Sequence, residues 1–113
     1  MELKMNIEEI EIYRTLQEHL DKLPIGFPST KSGVDLKLLQ YLFTPEEAKV
    51  ATKLSFTYDS LNMIHKRIDD PNISLEKLEK ILENSVKKGA IHYKKKGEEK
   101  LYANAMLIIG IFE

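Results

Sequence analysis

The stretch SLEKLEKILENSVKKGAIHYKKKGEEKLYA, residues 74–103, carries the change of period that decides the fold. In its first half Leu75, Leu78, Ile81, Leu82 and Val86 fall on one helical stripe. Ser74 is placed to cap that helix, because its hydroxyl can accept from an amide that lacks a partner within the first turn, and Glu76 favours the positive N-terminus. Gly89 is placed to close the helix in a left-handed conformation. Beyond Gly89 the helical period is lost. Ile91-His92-Tyr93 reads as a strand, Lys94 to Glu99 as a turn around Gly97, and Lys100 to Ala103 as the return strand.

Working back from Ser74, Asp69-Asp70-Pro71-Asn72 has turn chemistry and ends a shorter helix carrying Leu61, Ile64 and Ile68, with Asp59 or Ser60 as its cap. Ser55 to Tyr58 read as a link. Thr44-Pro45-Glu46-Glu47 is a capping box with proline at the first helical position, opening a helix to about Leu54 that buries Ala48, Ala51 and Leu54. A helix from Val34 to Phe43 turns Leu38, Leu39 and Leu42 inward. The first helix runs from Ile7 to Lys22, with Ile7, Ile10, Leu16, Leu20 and Leu23 on a stripe that Tyr13 can join. Leu23-Pro24-Ile25-Gly26-Phe27-Pro28 stops it and forms an apolar loop, in which Ile25 and Phe27 are expected to tuck into the body. Helix, helix, turn, longer helix and charged-tipped hairpin is the order of a winged helix-turn-helix. The expected fold is therefore mainly α with a small β-hairpin wing. It forms a single domain over residues 1–113: a helical extension to about residue 43, a winged-helix core over 44–104, and an apolar tail over 105–113.

Composition narrows the function classes. A chain of 113 residues fits one domain with one modest core, and 42% hydrophobic with 31% charged residues is globular. With 17 basic and 18 acidic residues, formal net charge −1, there is no general attraction to nucleic acid or anionic membrane, and any such binding needs a local patch. The absence of cysteine excludes disulfides, thiolate metal sites and a cysteine nucleophile. Met1-Glu2-Leu3-Lys4 lacks the apolar stretch of a secretory signal, and the run from Ala105 to Phe112 falls short of the roughly 20 apolar residues that span a bilayer. A cytoplasmic location is expected.

Two basic features invite a nucleic-acid interpretation. Lys77 and Lys80 lie near the start of the helix in the recognition position, and Lys94, Lys95 and Lys96 crowd the hairpin. Against this, Glu76 and Glu79 cancel the helix lysines, Glu76–Lys80 and Glu83–Lys87 have the spacing of solvated pairs, and Glu98 and Glu99 oppose the hairpin lysines. His19, His65 and His92 lie on three elements without metal-ligand spacing, and no nucleophile–base constellation or phosphate loop stands out, so no catalysis is expected. Ile25 and Phe27, with Leu107, Ile109, Ile111 and Phe112 of the apolar end, are the candidate contacts for a protein partner or a second copy.

Three stretches taken together, Leu23 to Pro28, Ser32-Gly33-Val34-Asp35-Leu36 and Leu42 to Ala48, resemble the N-terminal domain of a family of prokaryotic ferredoxin-type iron–sulphur proteins. Ser74 to Leu78 and Val86 to Ile91 fit the same pattern. The resemblance implies a winged-helix-like module ahead of a cysteine-rich region that holds a 4Fe-4S cluster. This chain departs from that pattern in having no cysteine, so the resemblance transfers no cluster ligand onto any residue here. It implies a non-catalytic interaction or regulatory module of an electron carrier, with any cluster held outside these 113 residues. The alternative, from the residues alone, is a winged-helix transcription regulator that contacts DNA through Lys77, Lys80, Lys94, Lys95 and Lys96.

Overall fold

Side-chain caps set where most of the helices begin. The computed structural model describes residues 6–107, and within them five helices and three strands. α1 (Ile7–Asp21) starts at Asn6, whose Oδ1 accepts from the Glu9 amide at 2.8 Å. α2 (Val34–Leu42) follows Gly33, which offers no side-chain cap. α3 (Pro45–Ala51) opens on the full capping box: the Glu47 amide donates to Thr44 Oγ1 at 3.2 Å, and the Thr44 amide donates to Glu47 Oε1 at 2.9 Å. The two-residue strand β1 (Asp59–Ser60) leads directly into α4 (Leu61–Ile68), where Ser60 accepts from the Met63 amide. α5 (Leu75–Lys87) starts at Ser74, which accepts from the Lys77 amide at 3.1 Å. It stops before Gly89, whose φ of 76° turns the chain into β2 (Ile91–Lys96) and then β3 (Glu99–Asn104).

The three strands form one antiparallel sheet in the order β1-β3-β2. β1 and the length of the hairpin are corrections to the sequence expectation. Asp59 pairs with Tyr102 and Ser60 with Leu101, so the expected cap is also a strand. Lys94, Lys95 and Lys96 belong to β2 rather than to a turn, opposite Leu101, Lys100 and Glu99. The reason is Gly97: its φ of 62° permits a two-residue turn, which lets the ladder run to its tip.

One hydrophobic core runs from Tyr13 to Leu107. Leu16, Leu39, Ala48, Ile64, Leu78 and Tyr102 all belong to it and are fully buried. α1 packs on α2 and α3, and α5 packs on α3, α4 and β2. The N-terminal helices are thus tied into the same body: the Tyr13 hydroxyl donates to the Phe43 carbonyl at 2.6 Å, and burial among nearby carboxylates raises its pKa. Two expected core residues are corrected. Ile7 is 76% exposed and Leu75 38%, because each begins a helix whose first turn overhangs the core. Ile25 is also corrected, being 57% exposed while Phe27 is buried.

That divergence has a specific cause. The Phe27 amide donates to Asp21 Oδ1 at 2.8 Å, and Gln17 Nε2 donates to the Phe27 carbonyl at 2.7 Å, which draws Phe27 inward. Gly26 sits at φ 81°, and a Cβ there would lie 3.3 Å from Asp21 Oδ1, so the turn needs glycine. The far end of the loop is held by Asp35, fully buried, which accepts from the Thr30 amide (3.2 Å), the Thr30 hydroxyl (2.7 Å) and Arg14 Nη1 (2.8 Å). Burial alone would raise the Asp35 pKa; the Thr30 hydrogen bonds and Arg14 outweigh it and hold the carboxyl below its usual range.

Candidate functional site

The charges of α5 are arranged by tertiary pairing, not by the intrahelical pairs expected from spacing. Lys100 of β3 lies 3.5 Å from both Glu79 and Glu83. Lys77 reaches Glu46 of α3 at 3.3 Å, and Lys88 bonds to Glu47, whose carboxylate is nearly buried. What is left on the outer face of the helix is Glu76, Lys80, Asn84 and Lys87, spaced i, i+4, i+8 and i+11 and therefore in one exposed stripe.

The hairpin lysines divide between two faces, as alternation along a strand requires. Lys94 places its Nζ 4.3 Å from the centre of the exposed Tyr58 ring, a cation–π contact. Lys95, opposite Lys100, is on the other face together with Tyr93. Lys96 is exposed near the tip beside Glu98 and Glu99. Of the five lysines considered for nucleic acid, Lys77 is engaged with Glu46 and Lys94 with Tyr58. Lys80, Lys95 and Lys96 carry no ion pair among the described residues.

The proposed apolar contacts separate similarly. Ile25 projects from its pinned loop, whereas Phe27 and Leu107 are core residues with almost no surface to offer. Ile109, Ile111 and Phe112 lie outside the described residues. Large exposed side chains not singled out from the sequence are Tyr41 at 82%, Met63, Phe56 and Tyr93. Tyr41 was findable: with Leu38, Leu39 and Leu42 turned inward, position 41 must face out of α2.

Two of the histidines tie elements together by their contacts. His19 Nε2 lies 2.6 Å from the Leu54 carbonyl and 3.0 Å from Asn104 Oδ1, tying α1 to the chain after α3 and to β3. His65 Nε2 meets the Ile73 carbonyl at 2.8 Å and spans the α4–α5 turn. His92 is exposed on β2. Among the described residues no three His, Asp or Glu side chains converge as a metal site.

Between α5 and the hairpin lies a cleft of about 250 Å³, lined by Glu83, Val86, Lys87, Tyr93, Lys100 and Tyr102. The Tyr93 and Tyr102 rings are 5.4 Å apart and tilted by 46°. Tyr102 is fully buried, and its hydroxyl is the one buried side-chain polar atom among the described residues without a hydrogen-bond partner. Burial, and then the carboxylates of Glu79 and Glu83, push its pKa up to about 12, so it stays protonated. A second, larger groove of about 670 Å³ runs between α3 and the α4–α5 turn, over Val50, Ile68 and Ile73 and between Lys49, Lys53, Glu46 and Asp70.

No family model, curated protein or solved structure matches the chain. No helix among the described residues is long and apolar enough to cross a membrane.

Proposed function

We propose that the chain is a winged-helix module that works by binding rather than catalysis, and that it docks a protein partner within an iron–sulphur electron-transfer system. The element order α3-β1-α4-α5-β2-β3, with β3 central in the sheet, supports the winged-helix assignment. The observation that carries the choice of partner is the engagement of α5's charges with the chain's own residues, through Lys77–Glu46, Lys88–Glu47 and Lys100 with Glu79 and Glu83. A helix so paired presents little net charge to a polyanion. The loop of Leu23 to Pro28, one of the stretches carrying the family resemblance, offers the exposed Ile25 on a backbone fixed by Gln17 and Asp21. Having no cysteine, the chain supplies no thiolate for a cluster, which in this proposal belongs to a region outside these residues.

The coding sequence downstream of codon 113 tests the iron–sulphur part. Closely spaced cysteines, and the absorption of a cluster in the longer protein, are the expected result. A stop codon removes it. Substitution of Ile25 by Ser is expected to weaken partner binding at unchanged stability, since the side chain is already mostly in water.

A nucleic-acid partner is the second proposal, favoured by the stripe of Lys80, Asn84 and Lys87 together with Lys95 and Lys96. Its signature is duplex binding that weakens steeply with salt, with the slope reduced when Lys94, Lys95 and Lys96 become alanine. Absence of any mobility shift at low salt sinks it.

A further inference from the structure

We propose that the cleft between α5 and the β2–β3 hairpin is a binding site for a small planar aromatic acid. At about 250 Å³ it is smaller than the ~300–1,000 Å³ of pockets that take drug-sized molecules, which leaves room for a single substituted ring. Three features set the chemistry of the occupant. The Tyr93 and Tyr102 rings and Val86 give the cleft an apolar, largely aromatic wall, which a flat ring complements. Lys87, exposed and free of ion pairs among the described residues, lies on the helix side of the cleft and matches a carboxylate. Lys100, by contrast, is already shared between Glu79 and Glu83.

The third feature is the Tyr102 hydroxyl, which is buried and has no partner. Buried polar groups in folded proteins nearly always have one, and a protonated phenol is a donor that needs an acceptor. Tyr102 lines the cleft with Lys100, which is 37% exposed and holds its two carboxylates only at 3.5 Å, so this wall of the cleft is loosely tied. A ring carrying a carboxylate for Lys87 and a hydroxyl for Tyr102 satisfies both groups. Occupied, the cleft would brace the hairpin against α5, whichever macromolecule those elements meet.

The test is a titration of the full chain with 4-hydroxybenzoate, followed in amide correlation spectra, with benzoate and phenol as partial probes. Saturable shifts are expected at residues 83–87, 93 and 100–102. Tyr102→Phe should raise the Kd for 4-hydroxybenzoate roughly tenfold, the worth of one hydrogen bond, and leave benzoate within about twofold. Lys87→Gln should weaken both acids and leave phenol unchanged. Both substitutions are conservative in volume, and retained spectral dispersion shows that each variant is folded. No saturable shift at these positions up to about 10 mM overturns the proposal, as does a Tyr102→Phe protein that binds 4-hydroxybenzoate like the parent.

Discussion

Replacing Asp35 by Ala should destabilise the protein by roughly 2–4 kcal/mol at neutral pH. Breaking a buried ion pair from one side costs ~3–5 kcal/mol when the surviving charge is stranded. Here the surviving Arg14 is 35% exposed and can regain water, which places the cost toward the lower end. The Thr30 amide and hydroxyl add to it, because both donate to the same carboxylate and lose their acceptor together. For a domain of this size the melting midpoint should fall by roughly 10–20 °C. Asp35→Asn separates charge from shape, since it keeps an acceptor for Thr30 but cannot pair with the guanidinium. The Asp35 carboxyl has a folded pKa below its unfolded value of about 3.9, so its stabilisation is complete above that pH and is lost as the pH falls through the folded pKa. The stability gap between the parent and Asp35→Asn should therefore be widest at neutral pH and narrow below about pH 4. Urea unfolding followed by circular dichroism at several pH values reads both quantities. A loss under about 1 kcal/mol for Asp35→Ala, or a gap that stays constant into acid, would refute the assignment of Asp35 as the anchor of the loop.

Tyr102→Phe should raise stability by about 1 kcal/mol, because it removes a buried hydroxyl that has no partner; a lower urea midpoint would show that the hydroxyl is satisfied. Thr44→Ala should cost about 1 kcal/mol through the lost cap, and Glu47→Ala more, since Glu47 also holds the Thr44 amide and Lys88. Gly89→Ala should cost ~1–2 kcal/mol from the left-handed backbone alone, because no atom lies within 4 Å of the added methyl; an unchanged midpoint would mean the turn relaxes.

Local chemistry was legible in the sequence wherever it closes within a few residues. The Thr44–Glu47 box, the cap at Ser74, Ser60 as one of the two caps the sequence allowed for α4, the end at Gly89 and the inward leucines of α2 all stand where their spacing puts them. What was missed depends on partners distant in the chain. β1 is two residues long and has no periodicity of its own; it exists because Tyr102 and Leu101 present an open strand edge. Asp35 sits where a solvated first-turn acid is ordinary, and it becomes a buried anchor by closing the loop onto Thr30 and by pairing with Arg14, twenty-one positions away. Ile25 and Phe27 look alike in the sequence, and the bonds of Gln17 and Asp21 to Phe27 decide which of the two is inside. In the cleft, the tyrosines at 93 and 102 become neighbours only through hairpin register, and Lys100 meets Glu79 and Glu83 only through the packing of α5 on the sheet.

The same non-local pairing bears on which partner the surface can hold. Lys77, Lys88 and Lys100 are engaged with carboxylates, and Lys94 lies over Tyr58 on the far face of the hairpin from Lys95. A duplex approaching α5 would meet Lys80, Lys87 and Lys95, and could reach Lys96 only around the hairpin tip, since Lys96 shares the face of Lys94; Glu76, Glu98 and Glu99 are close by in sequence. Each phosphate neutralised releases condensed counterions, at a slope of about −0.9 per contact on B-DNA, so the salt dependence counts the lysines engaged. Four lysines from one copy give a slope of about −4, and two copies side by side about twice that. Protein docking carries no such slope, since apolar contact and shape supply its affinity and a nearly neutral surface is compatible with both. The salt slope on DNA is thus the point at which the two proposals part: a slope of about −4 per bound copy would agree with contact through these lysines, and binding that is insensitive to salt would contradict it.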